Sequence, residues 1–94
     1  MTDADTNGET VRVWLVERSY DDRNLITLVY ATPDGRRARR KEQSATVLQQ
    51  QGRRITAAVD VAPDALTAVD PEDRERYAAE VERMRARHGP DEEV

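Results

Sequence analysis

The stretch 25-LITLVYATPDGRRARRKEQS-44 decides the fold of this chain of 94 residues. Residues 25–30 are apolar at odd and even positions alike, which predicts a central β-strand covered on both faces. They are followed by Thr32-Pro33-Asp34-Gly35, in which proline, aspartate and glycine each suit successive positions of a type I turn with a glycine bulge. Such a turn joins antiparallel strands, so residues 36–44 are predicted to return beside residues 25–30 as a third strand.

An alternative for this region is one helix over residues 38–51. Ala38, Ala45 and Leu48 would form its thin apolar stripe, and Gly52 would end it. We favour the strand, followed by a short helix near residues 45–51, because Ser44 is a residue type that caps helix starts.

On either side of this stretch the pattern is also that of strands. Residues 11–20 alternate between apolar and polar, residues 21–24 form a turn cluster, and residues 55–62 alternate again until Pro63. Residues 64–69 are expected to form an irregular crossing held down by Leu66 and Val69.

A C-terminal helix has the clearest start and stop signals. Asp70 suits the N-cap, Pro71 suits the first helical position, and Gly89-Pro90 ends the pattern. Its apolar stripe is narrow and consists of Tyr77, Val81 and Met84.

These elements predict an α+β fold, with an antiparallel sheet of three to four strands that starts as a meander. The C-terminal helix is expected to pack on one face of this sheet. Residues 10–88 are expected to form one small domain, and residues 1–9 and 89–94 to be disordered acidic tails. One narrow helix leaves apolar residues on the second sheet face, which favours a homodimer.

Positive charge is concentrated in residues 36–54. Seven cationic side chains, opposed by Glu42 alone, give this window a charge of +6, so the rest of a chain with net charge −4 carries −10. One interpretation is an anionic partner such as nucleic acid. The other is an edge strand whose cations discourage aggregation. The candidate contact residues are Arg37, Arg39, Arg40, Lys41, Arg53 and Arg54.

Strand alternation argues against a continuous cationic stripe. Arg37, Arg39 and Lys41 would share one face, and Arg40 would lie on the other. Aromatic residues give base stacking little support: Trp14 and Tyr30 are expected in the core and Tyr20 at an exposed turn. A stacking platform would need Trp14 and Tyr20 on one face of a regular strand.

The sequence does not contain the residues that several classes of function require. The chain has no cysteine and one histidine, His88, and its acidic groups suit turns and helix ends. We therefore expect no metal, no cofactor and no catalytic residue, and we expect that the protein is not an enzyme. No apolar run reaches the ~20 residues that span a bilayer, so a cytoplasmic protein without membrane contact is expected.

Four stretches resemble a small family of halophilic archaeal proteins of unknown function: VRVWLVERSY, NLITLVYATPDG, ITAAVDV and DPEDRERYAAEVERM. The resemblance covers about residues 10–88 and implies a salt-rich cytoplasm and no known activity. The use of 14 arginines and one lysine also suits GC-rich coding.

The function expected from the sequence is an accessory module that acts through protein contacts or homodimerisation. The alternative is a nucleic-acid-binding module.

Overall fold

The computed structural model describes residues 9–50, 52 and 54–94. Its elements are β1 (Val11–Tyr20), β2 (Leu25–Ala31), β3 (Arg37–Ser44), α1 (Ala45–Gln50), β4 (Ala58–Val61), a 3-10 turn (Pro63–Ala65), β5 (Thr67–Ala68) and α2 (Pro71–Arg87). The strands form one sheet in the order β4-β1-β2-β3-β5, and all neighbours are antiparallel. The predicted α+β fold is confirmed, with five strands rather than three to four.

The turn between β2 and β3 is held by its own side chains. The Gly35 N–H donates to the Thr32 carbonyl at 2.8 Å, and Gly35 adopts φ 73°. The Asp34 carboxylate accepts the Thr32 hydroxyl at 2.6 Å and the Arg36 N–H at 3.0 Å. The hydrogen bond from Thr32 holds the pKa of Asp34 below its ordinary value. Because residues 37–44 pair with β2 as strand β3, the alternative of one helix over residues 38–51 is wrong.

Helix α1 is the short helix expected after β3. Its first turn is capped as predicted, because the Ser44 hydroxyl oxygen accepts the Val47 N–H at 3.3 Å. It ends at Gln50, whereas the prediction included residue 51, which lies outside the described residues.

Helix α2 covers one face of the sheet. The helix-side core comprises Trp14, Val29, Ala31, Ala38, Ala57, Ala58, Val69 and Val81. Val81 is fully buried, and Tyr77 and Met84 pack beside it, so the predicted stripe is confirmed. Asp70 occupies the N-cap position, but its carboxylate makes no capping bond; its carbonyl accepts the Asp73 N–H at 2.9 Å instead.

The opposite face of the sheet has its own core. This far-side core comprises Val13, Leu15, Leu28, Tyr30 and Val61. Ile55 and Leu66, from segments before and after β4, pack against it. Among the described residues the exposed large hydrophobics are Tyr20 and Val47. The exposed apolar face that motivated the homodimer prediction is therefore covered by the chain itself.

A β-bulge in β1 changes the faces of the aromatic residues. Pairing with β2 shifts between Leu15 and Glu17. Trp14, before the bulge, lies in the helix-side core, whereas Tyr20, after it, pairs with Ile26, which packs on the far side. The regular strand required for a shared stacking platform of Trp14 and Tyr20 is absent. Trp14 and Tyr30 are buried and Tyr20 is exposed, as predicted.

The C-terminal segment pairs with the chain before β4, which corrects the prediction of a disordered tail over residues 89–94. The Ala57 N–H donates to the Glu92 carbonyl and the Val94 N–H to the Ile55 carbonyl, both at 2.9 Å. The acidic composition concealed this pairing, whose apolar anchor is the half-buried Val94. It also explains why β4 begins at Ala58 rather than at residue 55. The predicted N-terminal tail lies outside the described residues apart from Glu9.

In the part of the chain that the structure describes, no helix combines the length and the apolar character needed to cross a membrane.

Substituting Gly35→Ala should destabilise the domain far more than Gly52→Ala. A Cβ at Gly35 would stand 2.1 Å from the Arg74 carbonyl oxygen, whereas at Gly52 (φ 66°) no described atom lies within 4 Å. Both variants incur about 1–2 kcal/mol for the left-handed conformation. Only Gly35→Ala adds about 1–3 kcal/mol of overpacking. Urea unfolding measures both losses, and equal losses would contradict the proposed backbone contact.

Acid should weaken the attachment of the C-terminal segment through Glu92. Its carboxylate lies 3.0 Å from His88 Nδ1 and accepts the Gly89 N–H at 3.1 Å. The bond with His88 lowers the pKa of Glu92 below its ordinary 4.5. A carboxyl whose pKa is lower in the folded state stabilises the fold above its unfolded pKa, and this effect is lost as pH falls through the folded pKa.

We therefore expect the melting temperature of the natural chain to fall more steeply below pH 4.5 than that of Glu92→Gln. Glu75→Gln, which changes an exposed helical carboxylate, is the matched control. Identical acid profiles for the natural chain and Glu92→Gln would refute the role of this carboxylate.

Candidate functional site

Strand β3 directs its cations to two different surfaces, as predicted. Ala38 is buried in the helix-side core, so the even-numbered positions of β3 face helix α2. Arg39 and Lys41 line a cavity on the far side, and both are half-buried. Arg40 lies on the helix side, where its Nη2 is 3.4 Å from Glu42 Oε2.

The structure therefore brings together three of the six candidate contact residues. Arg54 approaches Arg39 and Lys41 at the far-side cavity, although it follows the short helix in sequence. Arg37 is exposed at the start of β3, and Arg53 lies outside the described residues. The predicted cluster is thus divided rather than continuous.

The far-side cavity has a volume of about 270 Å³. Its apolar lining consists of Leu28, Leu48, Ile55, Val59 and Val61, and its neutral polar lining consists of Tyr30, Gln43 and Thr56. The apolar residues come from the sheet and from the segments that cover it. The cavity is therefore a concave surface with an apolar floor and a cationic side.

Charges around the cavity are unevenly matched. The one carboxylate that lines it, Asp60, accepts hydrogen bonds from Arg12 at 3.0 and 3.3 Å, which lower the pKa of Asp60. Arg54 makes a loose, exposed pair with Glu93 at 3.8 Å. Among the described residues, no carboxylate oxygen lies within 4.0 Å of Arg39 or Lys41. A net positive charge consequently remains at the cavity.

Tyr30 adds a neutral hydrogen-bond donor to the cavity lining. The residue is 5% exposed, and its hydroxyl has no protein hydrogen-bond partner within the described ranges. Burial raises the pKa of this hydroxyl, which keeps it protonated at neutral pH. Buried polar groups are normally paired, so this hydroxyl is suited to a ligand. The sequence prediction placed Tyr30 in the core but did not connect it with the cations.

The second feature of β3 is its outer edge. Strand β5 pairs only with Arg37 and Ala38. Along residues 39–44, no other strand of the described chain pairs on this side. The Thr32 N–H donates to the Arg37 carbonyl, and hydrogen-bonded pairs alternate along antiparallel strands. It follows that Arg40, Glu42 and Ser44 direct their main-chain N–H and C=O groups away from β2.

Other polar groups have local structural roles. The Asp21 carboxylate accepts the N–H groups of Arg23 and Leu25 at 2.9 and 3.2 Å, which fixes the turn after β1. His88 ends helix α2, where its N–H donates to the Met84 carbonyl. Across the described ranges, no group of three or more histidine, cysteine, aspartate or glutamate residues is arranged to hold a metal ion.

Comparison with known proteins identifies a family but no individual relative. No curated protein matches the chain, and no solved structure matches it. A family model described as a family of unknown function matches residues 7–94, which is nearly the whole sequence. The predicted membership of a family without assigned activity is thereby confirmed. The chain belongs to the family of unknown function DUF7967.

Proposed function

We propose that this domain is a non-enzymatic interaction module that binds an extended acidic segment of a partner protein. The segment would add to the sheet as a strand beside residues 39–44. The observation that carries the proposal is the unpaired outer edge of β3, which is flanked by Arg39, Arg40 and Lys41.

The main chain of β3 supplies the first part of this recognition. Arg40, Glu42 and Ser44 each offer an outward N–H and C=O. A partner strand that hydrogen bonds to these groups gains affinity without requiring a particular side-chain sequence. Arg40 and Glu42 are exposed, so the edge is accessible among the described residues.

Charge supplies the selectivity. Arg39 and Lys41 project to the far side, and Arg40, in an exposed pair with Glu42, projects to the helix side, so acidic side chains of an added strand would meet a cation on either face. A second copy of β3 would instead bring cations opposite cations, a device that natural edges use against self-association. Together with the covered far-side core, this supports an acidic partner over the homodimer.

Nucleic acid remains the alternative proposal, and the geometry supports it less. Arg39, Lys41 and Arg54 converge on the far side, while Arg40 faces the helix side and is paired with Glu42. Trp14 is buried on the face opposite Tyr20, so the two rings cannot form one stacking surface.

We also propose that the protein works in the salt-rich cytoplasm of a halophilic archaeon. The excess of arginine over lysine and the resemblance found in the sequence support this setting. In about 1 M salt the Debye length is roughly 3 Å, which screens long-range attraction to a polyanion. Contacts made through short main-chain hydrogen bonds are less affected, which favours strand addition.

Selection of short random peptides on the immobilised full chain tests the proposal. We expect the selected peptides to be rich in aspartate and glutamate and poor in proline. The variant Arg40→Pro should bind them about tenfold more weakly, because it removes one charge and one outward N–H. Proline is tolerated on a strand edge when the missing N–H faces outward.

Two further variants separate the contribution of the Arg40 charge from that of its main-chain N–H and control for general charge. Arg40→Ala removes the charge but keeps the N–H, so its affinity should lie between those of the natural chain and Arg40→Pro. Arg83→Ala changes an exposed arginine of helix α2 and should leave binding unchanged. Selected peptides that bind Arg40→Pro as tightly as the natural chain would refute strand addition. A single-stranded oligonucleotide that binds through Arg39 and Arg54 with steep salt dependence would support nucleic acid instead.

A further inference from the structure

We propose that the far-side cavity is a binding site for a small phosphate monoester with an apolar or aromatic body. This site shares the Arg39 and Lys41 side chains with the outer edge of β3, but it uses them together with the cavity lining and needs none of the outward main-chain groups. It does not depend on the proposed partner strand.

The phosphoryl group would lie between Arg39 and Lys41. These residues are two positions apart on one strand face, about 7 Å along the strand, so their long side chains can converge on one oxyanion. Arginine presents paired N–H donors that match phosphate oxygens, and lysine adds a compact positive charge. Arg54, at the rim, can turn from its loose pair with Glu93 toward the same group.

A dianion fits the charge of the cavity better than a carboxylate does. Three cations line the cavity, and the negative charge of Asp60 is taken up by Arg12. Arg39 and Lys41 are half-buried without a carboxylate within 4.0 Å in the described part of the chain. Partial burial strengthens their attraction for an anion compared with cations in open solvent.

The remaining lining defines the rest of the ligand. The Tyr30 hydroxyl can donate one hydrogen bond, and the Gln43 amide can donate or accept. Leu48, Ile55 and Val59, which are half-buried, provide an apolar surface for a ring or a short alkyl group. With about 270 Å³, the cavity is just below the roughly 300–1,000 Å³ of typical small-molecule sites, so the ligand is small.

A titration followed by amide NMR tests this site on the full chain. Phenyl phosphate is the probe, and inorganic phosphate and benzoate are the comparison ligands. We expect saturable shifts at the amides of Tyr30, Arg39 and Lys41. Phenyl phosphate should bind about tenfold more tightly than inorganic phosphate, which has no apolar body, and than benzoate, which has half the charge.

Two variants connect the shifts with the proposed contacts. Lys41→Gln should weaken phenyl phosphate about tenfold, because it removes a charged donor. Tyr30→Phe removes only the hydroxyl and should weaken it about threefold. Arg83→Gln, on the exposed face of helix α2, is the control for general charge and should change nothing.

Each opposite result would overturn the proposal. Absence of saturable shifts at the cavity amides would exclude the site. Equal affinity for phenyl phosphate and inorganic phosphate would exclude the ligand class, and equal loss in Lys41→Gln and Arg83→Gln would reduce the effect to net charge. Since Arg40→Pro leaves the cavity lining intact, failure of strand addition and failure of this site would be distinguishable.

Discussion

The close contact between the main chain of Gly35 and the main chain of helix α2 is the constraint on which the domain depends. At this point the hairpin of β2 and β3 meets the helix with no space for a side chain, because a Cβ would overlap the Arg74 carbonyl oxygen at 2.1 Å. The contact lets the helix lie against this turn, and Val81 of the same helix is buried in the helix-side core. The same turn sets the pairing of β2 with β3, so Tyr30 lies opposite Arg39. One glycine thus links the position of the helix to the composition of the far-side cavity.

A sheet with two covered faces changes how the arginine-rich segment is interpreted. Ile55 and Leu66 pack against the far-side core, and Arg39 and Lys41 of β3 line the cavity beside it. The cations of β3 are divided between a concave far-side cavity and an exposed edge. We propose a different ligand for each environment: a compact anion for the cavity and an extended chain for the edge. The acidic remainder of the protein keeps this cationic surface distinct from its surroundings.

Local sequence signals predicted the elements that short-range chemistry controls. The turn at Thr32–Gly35, the cap at Ser44, the helix start at Pro71 and the alternation of cations on β3 all depend on neighbouring residues, and all are confirmed. Features that depend on distant partners were missed. The bulge before Glu17 has no marker such as glycine, and the pairing of Val94 with Ile55 is hidden in an acidic segment. The convergence of Arg54 with Lys41 required knowledge of the path after α1. The hairpin register alone, however, would have placed Tyr30 beside Arg39.

The position of β1 in the sheet has a consequence for how the chain reaches its native state. On one side β1 pairs with β2 across a short turn, and on the other side Val11 pairs with Val61 from far along the sequence. Local hairpins close quickly, whereas distant pairings must overcome a larger loop entropy. We therefore expect the three-stranded meander to form before β4 docks, an order in which Leu28 and Val13 are open to water in the interval. In that order the arginines of β3 are in place before β4, and cations on a sheet edge oppose intermolecular pairing.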